Sequence, residues 1–346
     1  IEVTPYDAKA PYYLGNLLYD WQPAEAIRYW ESSASLDPGL SIVRRNLALG
    51  YANQENDLNK AISSLEKAVS AERKYAMHFF EMDELYQAAG VSPEKRLAIL
   101  EKNHEIVNQR DDALSHEIAL KIFAGKYQEA LDLMKNRQFN VWEGGARFNV
   151  NDYWTDAYIM LGHSEMAKQN FRKAIEYYRL SIEYPSNLQT ARGASSGRYA
   201  ESSLWSGIAY QAAGDTKKAA KEWNAAAADI RERDRIMMNS ETINMFYQAV
   251  SLKKLGQKEK AADIFNILIT SGNNSLKNRD QVDFFAKFGQ QQSQRSSLGN
   301  THFIIGLGYL GLGKRAEAES EFRKALEICP DHHYSKIFLE NTDWKF

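Results

Sequence analysis

The chain has 346 residues, of which 44% are hydrophobic and 25% are charged, so it can build a hydrophobic core and is not disordered in bulk. The formal net charge of −2 gives no electrostatic reason to expect nucleic acid or an anionic membrane as a partner. Cys329 is the single cysteine, which excludes an internal disulfide. No stretch approaches the roughly 18 consecutive apolar residues that span a bilayer. Because the chain begins at Ile1, we expect it to be a trimmed or processed product.

The periodic segments are predicted to be helical, and they come in pairs of about a dozen residues joined by short turns. The clearest pair is NTHFIIGLGYLGLGKRAEAESEFRKALEICPD, near the end of the chain. Small residues stand there at Gly306 and Ala318, and rings stand at Tyr309 and Phe322. The same spacing recurs at Gly207, Ala219 and Trp223 and at Ala249, Ala261 and Phe265. It recurs with one residue fewer in the turn at Gly15, Ala26 and Trp30, and with one extra residue in the turn at Leu47, Tyr51 and Ala61.

This pattern resembles the tetratricopeptide repeat (TPR) superfamily over most of residues 11 to 330. The resemblance implies an all-α fold, a right-handed superhelical solenoid of about eight TPR-like helix pairs with insertions between repeats. A single pair cannot bury its apolar face alone, so neighbouring pairs stack. The resemblance also implies a non-catalytic scaffold that binds a protein or peptide along its concave face.

The spacing has a physical cause. Small residues such as Gly306 and Ala318 let the two backbones of a pair approach, while Tyr309 and Phe322 are predicted to fill the gap between repeats. Gly313 follows the first helix, where a positive φ is often needed. Pro330 and its counterpart Pro38 are expected to end the second helix.

The repeats lie farther apart in the second half of the chain, and the extra residues follow the second helix of each pair. Phe284, Phe285 and Phe288 have the spacing of a short amphipathic helix, which we expect to be followed by a loose Gln/Ser tail. The predicted divisions are 1–10 as an N-terminal lead-in, 11–138 as repeats 1 to 4, 139–151 as an inserted loop with the sequence WEGG, 152–274 as repeats 5 to 7, 275–298 as an insertion, and 299–346 as the last repeat with a capping helix.

The stretch GLGYLGLGK, residues 306–314, imitates a nucleotide-binding loop. The repeat accounts for Gly306 and Gly313, and Arg315 stands where a phosphate-binding loop needs serine or threonine. We therefore predict no nucleotide cofactor. Gly308 and Gly311 are not explained by the repeat, and we expect the 275–297 insertion or the terminal helix to approach them closely.

Two His-Glu pairs, at His104 and His116, begin a zinc-binding H-E-x-x-H signature, but neither is completed by a second histidine. His332 and His333 are adjacent, which points them in different directions on a helix. We interpret these four as ordinary surface or capping histidines. Since no nucleophile, paired acid or metal set stands out, we predict no metal, no catalytic residue and no enzyme activity.

Several TPR proteins hold a chaperone's C-terminal carboxylate with a clamp of two asparagines and three cations. The matching positions here are Tyr12, Asn16, Asn46, Met77 and Glu81, so both asparagines match and all three cations are missing. Without cations the groove cannot pair a carboxylate, and we predict that this clamp is absent.

Two sets of residues are candidates for partner binding. The first lies on first helices, facing the concave side that the resemblance implies: Tyr12, Asn16, Tyr19, Arg45, Leu49 and Asn53. The second lies in the WEGG loop, where Trp142 with Glu143 and Arg147 has the composition to grip a sugar or a peptide. In the alternative interpretation, Trp142 folds back and plugs the solenoid where the repeat is broken.

WEGG after a repeat and DFFAKFG before GLGYLGLG also resemble the C-terminal TPR region of a family of large bacterial proteins with an upstream β-rich region of carbohydrate-active type. This resemblance implies an alternative function: an accessory helical domain that packs on the upstream catalytic region or contacts glycan through the WEGG loop. It also implies a bacterial source, with the compartment, cytoplasm or periplasm, left open.

Overall fold

The computed structural model describes residues 6–140, 150–188, 198–228, 241–277 and 290–340. Within these ranges the chain is α-helical apart from turns and one short 3-10 helix, Ser186–Leu188, and it contains no strand. The helices are α1 (Lys9–Leu18), α2 (Pro23–Leu36), α3 (Ser41–Asn53), α4 (Leu58–Ala71), α5 (Ala76–Ala88), α6 (Pro93–Lys102), α7 (His104–Val107), α8 (Asp111–Phe123), α9 (Tyr127–Lys135), α10 (Val150–Ala167), α11 (Phe171–Leu180), α12 (Tyr199–Ala212), α13 (Thr216–Ala228), α14 (Glu241–Lys254), α15 (Lys258–Lys277), α16 (Gln290–Gly311), α17 (Arg315–Ile328) and α18 (His333–Glu340).

The helices form eight consecutive pairs in the described part of the chain, and α7 stands between the third and fourth. Each pair joins a first helix (α1, α3, α5, α8, α10, α12, α14 or α16) to a second helix through a short turn. Second helices also contact the first helix of the next pair, as α2 contacts α3 and α13 contacts α14. This arrangement confirms the predicted all-α solenoid of helix pairs. Among the described helices, none combines the length and apolar character needed to cross a membrane.

The turns inside the pairs use left-handed backbone at one residue. Gly214 and Gly313 follow first helices with φ of 84° and 79°, as the sequence predicts for Gly313. In two pairs that lack this glycine, Asn56 and Gln169 take the same conformation with φ of 56° and 62°. A left-handed residue stops the first helix and turns the chain back toward it.

Replacing Gly214 with alanine is expected to lower stability by about 1–2 kcal/mol through backbone strain. An added methyl group meets no atom within 4 Å, so overlap plays no part. Thermal unfolding measures the effect, as a decrease in Tm of about 2–4 °C per kcal/mol. Gln169→Gly is the matched control and relieves the same strain. A Tm that is unchanged in Gly214→Ala would show that this turn does not need a positive φ.

Inside a pair, a glycine of the first helix accommodates a ring of the second helix. A methyl group at Gly306 would overlap the ring of Phe322, and one at Gly207 would overlap the indole of Trp223. At these two positions a ring of the second helix, and not its backbone, lies closest to the glycine. Phe322, which the sequence analysis assigned to the gap between repeats, lies mainly on the glycine of its own pair, because that glycine leaves space there.

Gly308 and Gly311 lie under α15, the second helix of the preceding pair. A Cβ at Gly308 would lie 2.6 Å from Ile269 Cγ1 and 2.7 Å from the carbonyl oxygen of Phe265, and one at Gly311 would overlap the Phe265 ring. Close approach is confirmed, but the neighbour predicted from sequence was wrong. The neighbour is the stacked helix and not the 275–297 insertion or the terminal helix.

Several predicted segments have a definite outcome. The longer connections do follow second helices, after Lys135, Leu180, Ala228 and Lys277. The predicted loose Gln/Ser tail is wrong, because α16 begins at Gln290; glutamine is a good helix former and no proline interrupts this stretch. The WEGG loop and the three phenylalanines of the insertion lie outside the described residues, and the proposed divisions between repeats stay predictions.

Packing divides the described residues into two compact units. Unit 1 contains the described residues up to Glu117 and residues 290–293 at the start of α16. Unit 2 contains the described residues from Ile118 onward, apart from those four. In unit 1, Trp30 and Leu47 belong to a core between α2 and α3, against which Tyr12 of α1 packs. In unit 2, one continuous core extends from α10 to α18.

Candidate functional site

The last described helix, α18, lies against the first helices of unit 2. The ring of Phe338 is 5.9 Å from that of Phe246 on α14 and 5.5 Å from that of Phe303 on α16. The ammonium of Lys336 donates to the carbonyl oxygen of Phe123, at the end of α8, over 2.9 Å. We call this surface, formed by α8, α10, α12, α14 and α16 where they face α18, the first-helix face of unit 2.

A polar cluster fixes the N-terminal end of α18, and we call it the Asp156 cluster. The hydroxyl of Tyr334 donates to Asp156 Oδ1 over 3.0 Å, and His333 Nε2 lies 2.8 Å from Asp156 Oδ2. Arg198 directly precedes α12; its guanidinium pairs with Asp156 and donates from Nε to Glu201 over 2.8 Å. Arg198 Nη1 also donates to the Tyr334 hydroxyl over 2.9 Å. Two residues of α18 thus complete a network whose other members come from α10 and α12.

The cluster is charged although it is buried. Asp156, Arg198 and Glu201 are each less than 8% exposed. Burial acts to raise the pKa of Asp156, but the charges of Arg198 and His333 outweigh it and hold the pKa below its usual value. Burial also raises the pKa of Tyr334, which keeps its hydroxyl protonated and able to donate. The site therefore offers a carboxylate acceptor and a guanidinium donor to the helix that it holds.

Beside the polar cluster, aromatic rings form an apolar half of the site. The Phe303 ring stacks on that of Tyr334 at 5.7 Å with planes 20° apart. Phe338 is 2% exposed and also contacts Phe322. The sequence predicts α18 only as a capping helix. The aromatic residues at 334 and 338, spaced four apart on one helical face, were the signal that it missed.

The capping interpretation is confirmed for His332, whose Nδ1 accepts from the backbone amide of Ser335 over 3.2 Å at the start of α18. The surface interpretation is wrong for His332, which is buried, and the other three histidines each contact a carboxylate. His333 contacts Asp156, and the buried His332 contacts the Asn300 side chain over 2.9 Å. His116 Nδ1 lies 2.8 Å from Asp83, and His104 Nδ1 lies 2.8 Å from Glu117. These partners are distant in sequence, which is why local patterns did not reveal them. In the described ranges, no group of three potential ligands is placed to hold a metal ion.

In unit 1, three predicted partner-binding residues lie together around Trp30. Asn16 accepts from Trp30 Nε1 over 2.9 Å and from the Asn46 amide over 2.8 Å. The Tyr19 ring is 5.1 Å from the indole, and Tyr12 packs on the same core. These side chains therefore support the fold as well as forming a surface.

The other predicted residues of unit 1 lie on or near α3. Arg45 is engaged with the buried Glu81, with Nε 2.7 Å from Oε2, so its charge is already balanced within the unit. Burial raises the pKa of Glu81 even though Arg45 acts to lower it. Leu49 is half-buried and Asn53 is exposed. The remaining candidates, in the WEGG loop at 142, 143 and 147, lie outside the described residues.

An exposed apolar stripe on the first pair was not predicted. Tyr13, Leu17 and Trp21 are 60%, 74% and 85% exposed, and they follow one another at intervals of four residues. They lie away from Gly15, which packs on α2, and from Asn16, which faces α3. The i, i+4 spacing was visible in the sequence. Tyr13 and Leu17 lie on α1 and Trp21 lies in the turn after it. Exposed apolar side chains that form a contiguous patch are typical of interaction sites.

Comparisons with known families match three segments of unit 2. A tetratricopeptide repeat model matches residues 155–187 and 300–332, and a second model of the same description matches residues 244–271. These segments correspond to α10 with α11, α16 with α17, and most of α14 with α15. Together they cover less than half of the chain.

Solved structures of helical repeat proteins are similar at low identity. YrrB, described as a TPR protein with an unusual peptide-binding site, is 20% identical, with a TM-score of 0.39 over 53% of this chain and 89% of that chain. A tetratricopeptide repeat protein from Parabacteroides merdae is 13% identical, with a TM-score of 0.32 over 96% and 98%. Naa15/Naa10 bound to HypK-THB is 14% identical, with a TM-score of 0.40 over 97% and 61%. TM-scores this low support no transfer of ligand or function.

Proposed function

Since the pairs α10–α11, α14–α15 and α16–α17 contain tetratricopeptide repeats, we propose that the chain is a non-catalytic scaffold that binds a protein or peptide on its first helices. One observation supports this proposal above the others. The first-helix face of unit 2 holds a short amphipathic helix, α18, through both aromatic and charge-assisted polar contacts. A fold alone does not fix a ligand, and the proposal therefore rests on that geometry.

In unit 1 the proposed partner surface consists of the predicted residues of the first two pairs together with the exposed stripe on the first pair. Tyr12, Asn16 and Tyr19 hold Trp30 and present their remaining surface outward. Leu49 and Asn53 lie on α3, where Leu49 is half-buried and Asn53 is exposed. Arg45 contributes to this surface as an ion pair with Glu81, so its charge is not available to an anionic partner.

Replacing Leu49 and Asn53 together with alanine tests the proposal without disturbing the Trp30 contacts. We expect recovery of partner proteins from native lysate, measured by affinity capture and mass spectrometry, to fall about tenfold or more, which corresponds to about 1.4 kcal/mol. The matched control is Ile62→Ala with Asn59→Ala on the second helix α4, one half-buried and one exposed residue. Equal recovery with both double variants would reject the α3 surface.

The alternative, an accessory domain of a carbohydrate-active protein, stays a prediction from sequence. It depends on the loop with Trp142, Glu143 and Arg147 and on an upstream region, and none of the matching families or structures supports it. Affinity capture of protein partners and of glycans with the Trp142→Ala variant distinguishes the scaffold from the accessory domain. Loss of glycan binding without loss of protein partners would favour the alternative.

A further inference from the structure

We propose that α18 is an internal ligand, and that the site it fills on unit 2 also binds an amphipathic helix of a partner protein. The partner helix has a tyrosine preceded by a basic or histidine residue and followed four residues later by an aromatic residue. This inference deepens the proposed function and rests on it. It names the place and the chemistry of the partner.

The order of α18 comes from docking. The helix has eight residues, and isolated helices shorter than about 12 residues are marginal in water. Its polar contacts come from few side chains, Tyr334 and His333 in the Asp156 cluster and Lys336 on Phe123, while Phe338, with Ile337 and Leu339, packs on the core of unit 2. A segment held in this way exchanges with another helix that reproduces the same few contacts.

The charge of the site selects the ligand. Without α18, three acids, Asp152, Asp156 and Glu201, surround the single guanidinium of Arg198; the Asp152 carboxylate is 4.0 Å from it. This excess of acid favours a ligand that brings donors or positive charge. In α18 those donors are the imidazole of His333 and the hydroxyl of Tyr334.

The aromatic half sets the spacing of the ligand. Phe246, Phe303 and Phe322 all lie within 6 Å of the Phe338 ring, measured between ring centroids. One helical turn separates this pocket from the Asp156 cluster, which is the distance between residues i and i+4 on a helix. A partner helix therefore needs the tyrosine and the second ring at that interval.

The test uses the full chain and a fluorescein-labelled peptide of residues 331–340, measured by fluorescence anisotropy. In the wild type, α18 competes with the peptide and binding is weak. In the variant His333→Ala with Tyr334→Phe, α18 loses its bonds to Asp156 while the aromatic packing remains. The peptide should then bind at least about tenfold more tightly, because the competing state is less populated. A peptide with alanine in place of the residues corresponding to Tyr334 and Phe338 should not bind.

Lys336→Ala is a second variant, which removes the contact with Phe123 and the ion pair with Glu340 within α18, and it should give a smaller gain. Equal affinity of the peptide for wild type and both variants, in chains whose circular dichroism is unchanged, overturns the proposal. Concentration-dependent dimerisation of the variants would also overturn it, since the occupant would then be α18 of a second copy. Affinity capture with the Leu49 and Asn53 variants is a separate measurement. A negative result in the peptide-binding assay alone therefore leaves the scaffold proposal intact.

Discussion

Replacing Asp83 with alanine is expected to lower the free energy of unfolding by about 3–5 kcal/mol, because removing one partner of a buried ion pair leaves the other charge uncompensated. Arg96 donates to Asp83 through Nε over 2.8 Å and through Nη2 over 2.6 Å. His116 Nδ1 lies 2.8 Å from the same carboxylate. Both side chains of the pair are less than 5% exposed. Chemical denaturation of the wild type and the variant measures the difference.

This contribution depends on pH with a definite sign. Burial acts to raise the pKa of Asp83, but hydrogen bonds from Arg96 and His116 outweigh it and lower the pKa to about 2. The stabilisation is therefore present above the unfolded pKa of about 3.9 and is lost as the pH falls toward 2. Burial acts to lower the pKa of His116, and its bond to Asp83 outweighs burial and raises it. The stabilisation that protonated His116 contributes is complete below its unfolded pKa of about 6.5 and is lost as the pH rises through its raised pKa in the folded protein.

The double variant Asp83→Ala with Arg96→Ala is the control. In other pairs the corresponding positions hold small residues, as Gly306 and Ala318 do. Replacing both charges with small residues restores that arrangement, and we expect the double variant to be more stable than Asp83→Ala alone. If the two single losses simply added, the pair would not be coupled.

The second large effect is expected for Gly308→Ala, which should lower stability by about 1–3 kcal/mol through overpacking. The new methyl group would lie 2.7 Å from the backbone oxygen of Phe265, and a backbone atom cannot move aside as a side chain can. This loss exceeds the gain of up to about 1 kcal/mol in helix propensity. Thermal unfolding is the measurement.

Gly299→Ala is the matched control in the same helix, because its nearest atom outside the helix, Cys329 Cβ, lies at 3.1 Å. We expect a Tm near that of the wild type, since slight crowding and better helix propensity offset each other. A higher Tm for both glycine variants would contradict the close approach of α15 to α16.

The helix pairs could be predicted from the sequence because the residues that define each pair lie close together along the chain. Gly306, Ala318 and Phe322 act within one pair, and the turn at Gly313 is set by neighbouring residues. Which helix covers Gly308 depends on how pairs stack, and the periodicity does not contain that information. For the same reason, the sequence shows that Arg96 stands where other pairs have a small residue such as Ala318, but it does not show that Asp83, 13 positions earlier, is its partner.

The candidate site was less predictable than the fold. Arg45 is the type of residue that often binds a partner, and the sequence predicts that role. The structure shows instead that it contacts Glu81, 36 positions later. The contacts of α18 join residues up to 213 positions apart, as between Lys336 and Phe123. Long-range polar pairs of this kind leave no pattern in a single sequence. The signal that was present, Tyr334 and Phe338 at helical spacing, indicates a buried face without showing which helices bury it.

Hydrogen exchange of α18 in the full chain, read by mass spectrometry, tests the central claim that the first-helix face of unit 2 holds a helix. An undocked eight-residue helix exchanges nearly as fast as an unfolded peptide. We expect the amides of residues 333–340 to be protected in the wild type. In the variant His333→Ala with Tyr334→Phe, they should lose protection while those of α12 and α14 keep theirs. Exchange of 333–340 at free-peptide rates in the wild type would contradict the account.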